Sequence, residues 1–486
     1  MAVKELIEMV GRKNVLEDGT TLEAYCRDMS FTTKIRPKCI VKIGNAGELE
    51  KLVKWANATG TPLVPVSSGA PHFRGDTIPS VGGAIIVDMS GMNKIVSVDG
   101  RNRVAMIEPG VNFSQLIPEL TKAGLRLNMP LLPRSSKSVI GSMLEREPVI
   151  MPGYQWDAQD PLNCVEVIFG TGEVFKTGSA AGPASLEKQK ETKQAQVSAQ
   201  GPGQTDFARV LQGAQGTMGI VTWATLRCEL LPAIQKPFVS GSAKLEKLSD
   251  FIYRLLWLKA ADENLVLNNV SLAAILAKSP EEYINLKNIL PSWVHFFCLA
   301  GYEYFPEDRL GYHEEEMIEA AQQYGIKPSS GLKGVSAFEL LKTSAKPSDD
   351  PYWKLRNKGG CQDIMFISTL ERIPKFVEII YEIAEQYGYP TSEIGVYVQP
   401  MIQGTSCHCE FNLFYDPENE KELAQLAALY ASAGEALIDA GAFFSRPYGA
   451  LAEMAFGRDA ETTAALRKVK KIMDPKDIMN TGKLCF

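Results

Sequence analysis

The most restrictive stretch of this chain is short. From Cys39 to Ser67 an apolar run (CIVKI), a helical pattern (GELEKLVKWANATG) and a second apolar run (PLVPVSS) follow one another. Leu49, Leu52, Val53 and Ala56 recur at helical spacing, and Gly60 stands where a helix ends in a left-handed residue. The pattern reads as a β-α-β unit whose second strand runs into the loop PVSSGAPHFRGD, Pro65 to Asp76. Successive backbone N–H groups in such a loop can form a nest for a pyrophosphate, although the same text also fits a plain turn. It is not a Rossmann fingerprint, because no G-x-G-x-x-G links a strand to a helix here or elsewhere.

Strand-like text continues at AIIVDMS, KIVSVDG and RVAMIEPG, a helical pattern spans Phe113 to Ala123, and VEVIFGTGEVFKTG has the shape of a hairpin around Gly170 to Gly172. The segment from Gly178 to Thr205, rich in Gly, Ala, Ser, Gln and Lys, cannot bury a core and reads as a surface excursion, a lid or contact loop. Strand text resumes at GIVTWATLRCEL, and two prolines in PAIQKP (232–237) mark a domain boundary. Beyond it come a helix from Leu248 to Ala260, strand candidates VSLAAILA and WVHFFCLAGY, helices Arg309 to Tyr324 and Pro374 to Tyr387, and strands IGVYVQPMI and HCEFNLFYD. A second α+β domain is expected, with an antiparallel sheet covered on one face. A helix from Ala460 to Met473 precedes the tail MDPKDIMNTGKLCF.

Composition removes several function classes. With 51 Lys and Arg against 57 Asp and Glu over 486 residues, the formal charge of −6 offers no general attraction to nucleic acid. No run approaches the roughly 20 apolar residues of a membrane span, and the N-terminal text lacks a secretory apolar region. Nine scattered cysteines without a C-x-x-C pair fit reduced thiols in a cytoplasmic chain, and four histidines are too few for a multi-histidine metal centre, so no metal is expected. The chemistry is left to an organic cofactor or to acids and tyrosines.

The Pro65 to Asp76 loop has company in a fixed order: EPGV at 108–111, SVIG at 138–141, GAQGTMGIVT at 213–222 and DPKDIMNTGK at 474–483. This ordered set resembles the FAD domain of the vanillyl-alcohol oxidase and p-cresol methylhydroxylase superfamily. The resemblance implies a two-subdomain FAD-binding domain of the p-cresol methylhydroxylase type over residues 1–231. It further implies a cap domain over 238–455 and a C-terminal segment, 456–486, that returns to the FAD domain. Carried over by position, Ser67, Ser68, Gly69 and the residues to Gly75 form the pyrophosphate loop. Pro109, Gly110, Ser138, Gly141, Gly219 and Val221 line the flavin and its adenosine portion, and Asn480 and Lys483 close the site from the tail. The glycines in such a loop leave room for a close-packed cofactor. His72 is open to three roles, a covalent flavin anchor, a hydrogen bond to phosphate or a plain loop residue; the nearest register places Pro71 where relatives keep a histidine.

The stretch from Ser138 to Gly178 looks more like the aryl-alcohol and alkylphenol branch than the hydroxy-acid branch. Where hydroxy-acid members carry a histidine-rich metal motif and a Glu-His-Gly motif, this chain reads GTSCHCEFNLFYDP and FFSRPYGALAEMAF. His408 alternates with Cys407 and Cys409 on a strand, so it faces away from both thiols; it is either a buried strand histidine or a group facing the flavin. Arg446 and Tyr448 resemble the substrate-phenolate pair of aryl-alcohol members, and the bland alternative is a surface ion pair and a core tyrosine. The implied activity is an FAD-dependent oxidoreductase that transfers a hydride from a phenolic or benzylic substrate, a 4-alkylphenol or aryl alcohol, to flavin N5, with His408, Arg446 and Tyr448 as catalytic candidates. A dehydrogenase of a small 2-hydroxy acid and the flavin subunit of a larger electron-transfer complex remain alternatives. Expected partners are the small substrate and an electron-acceptor protein, with the chain as a homo-oligomer such as a dimer or as part of a hetero-complex.

Overall fold

Asn45 accepts the N–H of Glu48 at 3.0 Å and so starts the helix Ala46–Thr59, which Gly60 ends at φ +67°. The computed structural model describes residues 2–153, 161–181, 186–191 and 207–486. The β-α-β unit is present but split. Strand Ile85–Asp88 lies between Cys39–Lys42 and Leu63–Val66 and runs parallel to both, while Val15–Leu16 pairs antiparallel at the outer edge. The helix buries Leu49, Leu52, Val53 and Ala56 against this sheet.

A second sheet of five antiparallel strands follows, in the order Ile95–Asp99, Val104–Ile107, Gly219–Arg227, Leu162–Phe169 and Val174–Lys176. Its Ile168 and Ile220 pack into the core of the first sheet, which joins the two into one body. Of the surface excursion foreseen over 178–205, residues 182–185 and 192–206 lie outside the described residues.

The cap is a six-stranded antiparallel sheet, ordered Ile234–Ser242, Trp293–Gly301, Ala261–Asn268, Ile394–Met401, Ser406–Tyr415 and Gly360–Ser368. One face, carrying Cys407, Cys409, Phe411 and Leu413, packs on helices Glu246–Leu258, Ile373–Gln386 and Glu420–Asp439. The expected strand VSLAAILA is instead the helix Asn269–Leu276, and the strand lies just before it, at Ala261–Asn268. The segment is apolar all round and buried, so it carries no period, and the Asn268 side chain caps it by accepting the Ser271 N–H at 2.9 Å.

The tail returns. Ile478 and Asn480 pair with Leu63 through backbone hydrogen bonds of 2.7 and 2.8 Å, extending the first sheet past Leu63–Val66. A buried turn fixes that approach: Asp474 accepts Ile478 N–H at 3.1 Å, Met479 N–H at 2.7 Å and the Lys470 ammonium at 2.5 Å. Lys470 also donates to Thr217 O at 2.7 Å. All nine cysteines are free thiols. Among the described residues, no helix is long and apolar enough to cross a membrane.

Asp474→Ala removes the acceptor of two backbone N–H groups and one partner of the Lys470 ammonium, which keeps the half-exposed Asp477 carboxylate at 3.2 Å. The change is expected to destabilise the chain by about 1–3 kcal/mol in urea unfolding, the scale of leaving buried donors unsatisfied. A midpoint equal to that of the parent would show that the turn carries no stability.

Candidate functional site

The loop after Leu63–Val66 forms one wall of a cleft of about 170 Å³ between the first two sheets and the cap. Ser67, Ser68 and His72 line it from the loop, and Pro109, Gly141, Gly219 and Val221 line it from the second sheet and its flanking turns. Within the loop, Gly69 N–H is taken by Ser136 O and Gly75 N–H by Asp28, whereas the N–H groups of Ser68, His72 and Phe73 have no acceptor among the described residues. Unpaired N–H groups around a cleft suit an anionic ligand.

Gly69, Gly110, Ser138 and Asn480 stand behind the wall and shape it. Ser138 donates to Pro109 O at 2.6 Å and accepts the Gly141 N–H at 2.9 Å, while its own N–H reaches Ser68 Oγ at 3.0 Å. Three separate segments are thereby locked together. A Cβ on Gly110 would lie 2.6 to 2.8 Å from the carbonyl oxygens of Ser90, Met89 and Met92, so glycine is required there by the protein's own backbone. Asn480 Nδ2 donates to Asp76 O at 2.8 Å and Gln215 O at 2.6 Å, tying the tail to both sides of the cleft.

The cleft is strongly charged, and sequence reading missed most of its charges. Arg74 pairs with Glu145 and lies 3.3 Å from Glu147, and its guanidinium sits 5.3 Å over the Tyr448 ring. Lys137 also pairs with Glu145. Burial pushes Glu147 up, but Lys137 and Arg74 outweigh it and hold the carboxyl at about 2. Asp76 has less compensation: burial, with Glu145 adding repulsion, raises it to about 6. Burial followed by Arg134 and Lys137 pushes His72 down to about 3, so it is neutral near pH 7. Only the Arg-Gly-Asp text of the loop hinted at this group, because the ion partners lie far apart in sequence.

A second cavity of about 430 Å³ adjoins the cleft, and Phe73, Arg74, Gln215, Asp363 and Tyr448 line both. Gly75, Arg446 and Lys483 line this outer cavity, and Lys483 donates to Ser80 Oγ at 2.5 Å. Arg446 is 5% exposed, and its Nη1 has no hydrogen-bond partner. It forms no ion pair among the described residues, so the bland reading of a surface ion pair does not hold. Burial and then Arg74 disfavour its cation, yet a guanidinium does not lose its proton in proteins. Burial keeps the Tyr448 hydroxyl protonated, with Glu145 adding to the upward shift.

His408 faces away from Cys407 and Cys409 as the strand alternation predicts, and it lines neither cavity, an arrangement that matches the buried strand histidine of the two readings open for it. Its Nε2 lies 3.4 Å from Glu410, and the Tyr397 ring stands edge-on at 5.7 Å. Burial lowers its pKa despite Glu410.

The comparisons agree with this architecture. Residues 37–178 match the family model described as FAD binding domain, and residues 367–484 match that of FAD linked oxidases, C-terminal domain. An uncharacterized FAD-linked oxidoreductase of Mycobacterium tuberculosis is 23% identical over 98% of this chain and 97% of its own length. The mitochondrial D-lactate dehydrogenase [cytochrome] of Arabidopsis thaliana is 23% identical over 99% of this chain and 80% of its own. The crystal structure of p-cresol methylhydroxylase with substrate bound superposes with a TM-score of 0.83 at 18% identity, covering 99% of this chain and 95% of that one. The unpaired N–H groups and the returning tail fit a dinucleotide cofactor, and the chain is an FAD-linked oxidoreductase that carries an FAD binding domain and the C-terminal domain of FAD linked oxidases, uses FAD as its cofactor and shares the fold of p-cresol methylhydroxylase.

Proposed function

We propose that this enzyme oxidises a phenolic or benzylic substrate whose anionic oxygen is held by Arg446. The observation that carries the reading is the buried Arg446 Nη1 without a partner. An unsatisfied buried donor is costly, and a charged one more so, which makes the site a ready receptor for an oxyanion. Phe31, Tyr430 and Met365 line the same cavity and suit an aromatic ring. Tyr448, lining both cavities, donates a hydrogen bond to the same oxygen, and Arg74 over its ring keeps its orientation. Bound FAD supplies the two-electron redox chemistry, while these side chains bind, orient and stabilise charge.

Ser67, Ser68, Gly69, His72 and Gly75 would hold the pyrophosphate through the loop N–H groups. Pro109, Gly110, Ser138, Gly141, Gly219 and Val221 would form the flavin wall, with Asn480 and Lys483 closing it. In this reading residues 1–231 are the FAD-binding unit, 238–455 the cap and 456–486 the returning segment. A second reading, oxidation of a small 2-hydroxy acid, draws on the D-lactate dehydrogenase relative, and a carboxylate satisfies Arg446 equally well.

Arg446→Ala separates the two. For a phenol, with a pKa of about 10, loss of phenolate stabilisation is expected to slow flavin bleaching at neutral pH by about tenfold or more, with FAD content unchanged. A 2-hydroxy acid is already ionised, so the same change raises KM and spares kcat. Parent-like bleaching with every phenol and hydroxy acid tested would remove Arg446 from the site.

Deleting the final eight residues removes Asn480 and its two bonds across the cleft. The truncated chain is expected to purify without the yellow flavin spectrum; full FAD retention would contradict the role given to the tail.

A further inference from the structure

Two carboxylates on one face of the cap sheet, Glu410 buried and Asp363 partly so, share the same partners. Lys354 Nζ reaches Asp363 Oδ2 and Glu410 Oε1, each at 2.6 Å. Asn412 Nδ2 reaches Asp363 Oδ1 at 2.8 Å and Glu410 Oε1 at 2.7 Å. Both acids are enclosed, with side chains 11% and 8% exposed. Burial opposes the Lys354 charge, but Asp363 and Glu410 outweigh it and hold its pKa well above the ordinary lysine value. One ammonium between two carboxylates leaves a formal excess of one negative charge.

Their surroundings differ in one respect. Glu410 turns its other oxygen toward His408 and lines neither cavity, whereas Asp363 lines both. Among the described residues, Asp363 is the only carboxylate that does so. Glu145 and Glu147, its neighbours in the inner cleft, are already engaged by Arg74, Lys137 and Ser142. A carboxylate has about four acceptor sites, and Asp363 uses three, for Lys354, Asn412 and the more distant Cys361 Sγ at 3.5 Å. Acceptor capacity is therefore left where the outer cavity that holds Arg446 meets the inner cleft.

We infer that Asp363 is a specificity-determining residue that accepts a hydrogen bond from a substrate hydroxyl, so that the preferred substrate carries a hydroxyl donor besides the anionic group taken by Arg446. Lys354 is a positioning residue in this arrangement, and no bond is made or broken at either. The inference rests on the reading of Arg446 as the substrate-anion receptor. A hydroxyl donating to an ionised acceptor forms a charge-assisted bond, and a site built for it discriminates against an analogue that lacks it, because the acceptor is then left unpaired.

The test uses FAD-loaded enzyme reduced with dithionite under anaerobic conditions, so that neither probe turns over, titrated calorimetrically with 4-hydroxybenzyl alcohol and 4-methylphenol. The two differ by one hydroxyl. The parent is expected to bind the alcohol about ten- to a hundredfold more tightly, the scale of a hydrogen bond to a charged group. Asp363→Asn is expected to compress the ratio to within about threefold while leaving 4-methylphenol affinity in place. Glu410→Gln, which withdraws an equivalent charge from Lys354 but faces no cavity, should preserve the ratio and so controls for damage to the network. Equal binding of both probes by the parent, a preference that survives in Asp363→Asn, or one that Glu410→Gln abolishes as fully, each overturns the inference and leaves the Arg446 reading standing. If the parent binds neither phenol, the phenolic reading falls, and Asp363 is judged by the same criteria on D-lactate against propionate, a pair that again differs by one hydroxyl.

Discussion

The cofactor cleft depends on a seam between residues at opposite ends of the chain. Ile478 and Asn480 bond to Leu63 along the edge of the first sheet, and the strand they extend is the one that launches the loop with unpaired N–H groups. Asn480 then reaches both Asp76 O and Gln215 O, so one side chain sets the spacing between the loop and the turn that precedes strand Gly219–Arg227. Its backbone sits at φ +41°, a left-handed conformation that asparagine tolerates better than most residues. Conformation and amide chemistry thus ask for the same residue at this point. The buried Asp474 and Lys470 turn upstream holds the backbone that leads into this seam, through Asp474 to the Ile478 and Met479 N–H groups and Lys470 to Thr217 O.

A second constraint is charge. Arg74, Lys137, Glu145 and Glu147 form a nearly neutral lattice in which each acid is claimed by a cation or a hydroxyl. Such a lattice fixes side-chain geometry but offers little net field to a ligand. The groups left over, Arg446 with a free Nη1, Asp76 raised to about 6 by burial and the loop N–H groups, are therefore the ones able to respond to what binds. Pairing most charges and leaving a few unpaired is how a buried site acquires selectivity without a large desolvation cost spread over every group.

Much of this was legible in the sequence, for identifiable reasons. The β-α-β unit was readable because its helix alternates apolar and polar residues at the helical period, and the loop, turn and tail motifs were readable because their order is preserved along the chain. Strand alternation placed His408 on the face opposite its neighbouring thiols correctly, yet could not say that Glu410 and Tyr397 would keep it from either cavity. VSLAAILA was misread because a uniformly apolar run has no period, and the deciding signal was the polar Asn268 just before it. The ion lattice was invisible for a different reason: Arg74 and Glu145 stand 71 positions apart, and nothing local in either segment announces the other.

The division of the site into two cavities follows from this layout. The inner cleft is built almost wholly from loops and turns of the N-terminal part of the chain, and the outer cavity from the N-terminal segment, the end of the Pro65 to Asp76 loop, the cap, the Arg446 to Leu451 turn and the tail. In the proposed reading, the groups given to the substrate lie mainly on the outer wall and most of those given to the cofactor on the inner one, with Gly75 and Lys483 as the exceptions. Only five residues belong to both walls, among them Arg74, Asp363 and Tyr448. In that reading, substitutions at outer-wall positions of the cap, such as Met365, Tyr430 or Arg446, act on the accepted molecule without touching the loop and seam, whereas a change at a shared residue acts on both. With Arg446 and Asp363 as the proposed receptors, substrate recognition would fall on the cap side, while Gly110 and the other groups suited to retaining the cofactor are fixed by backbone contacts that leave little room for variation, so that one framework could accept different substrates.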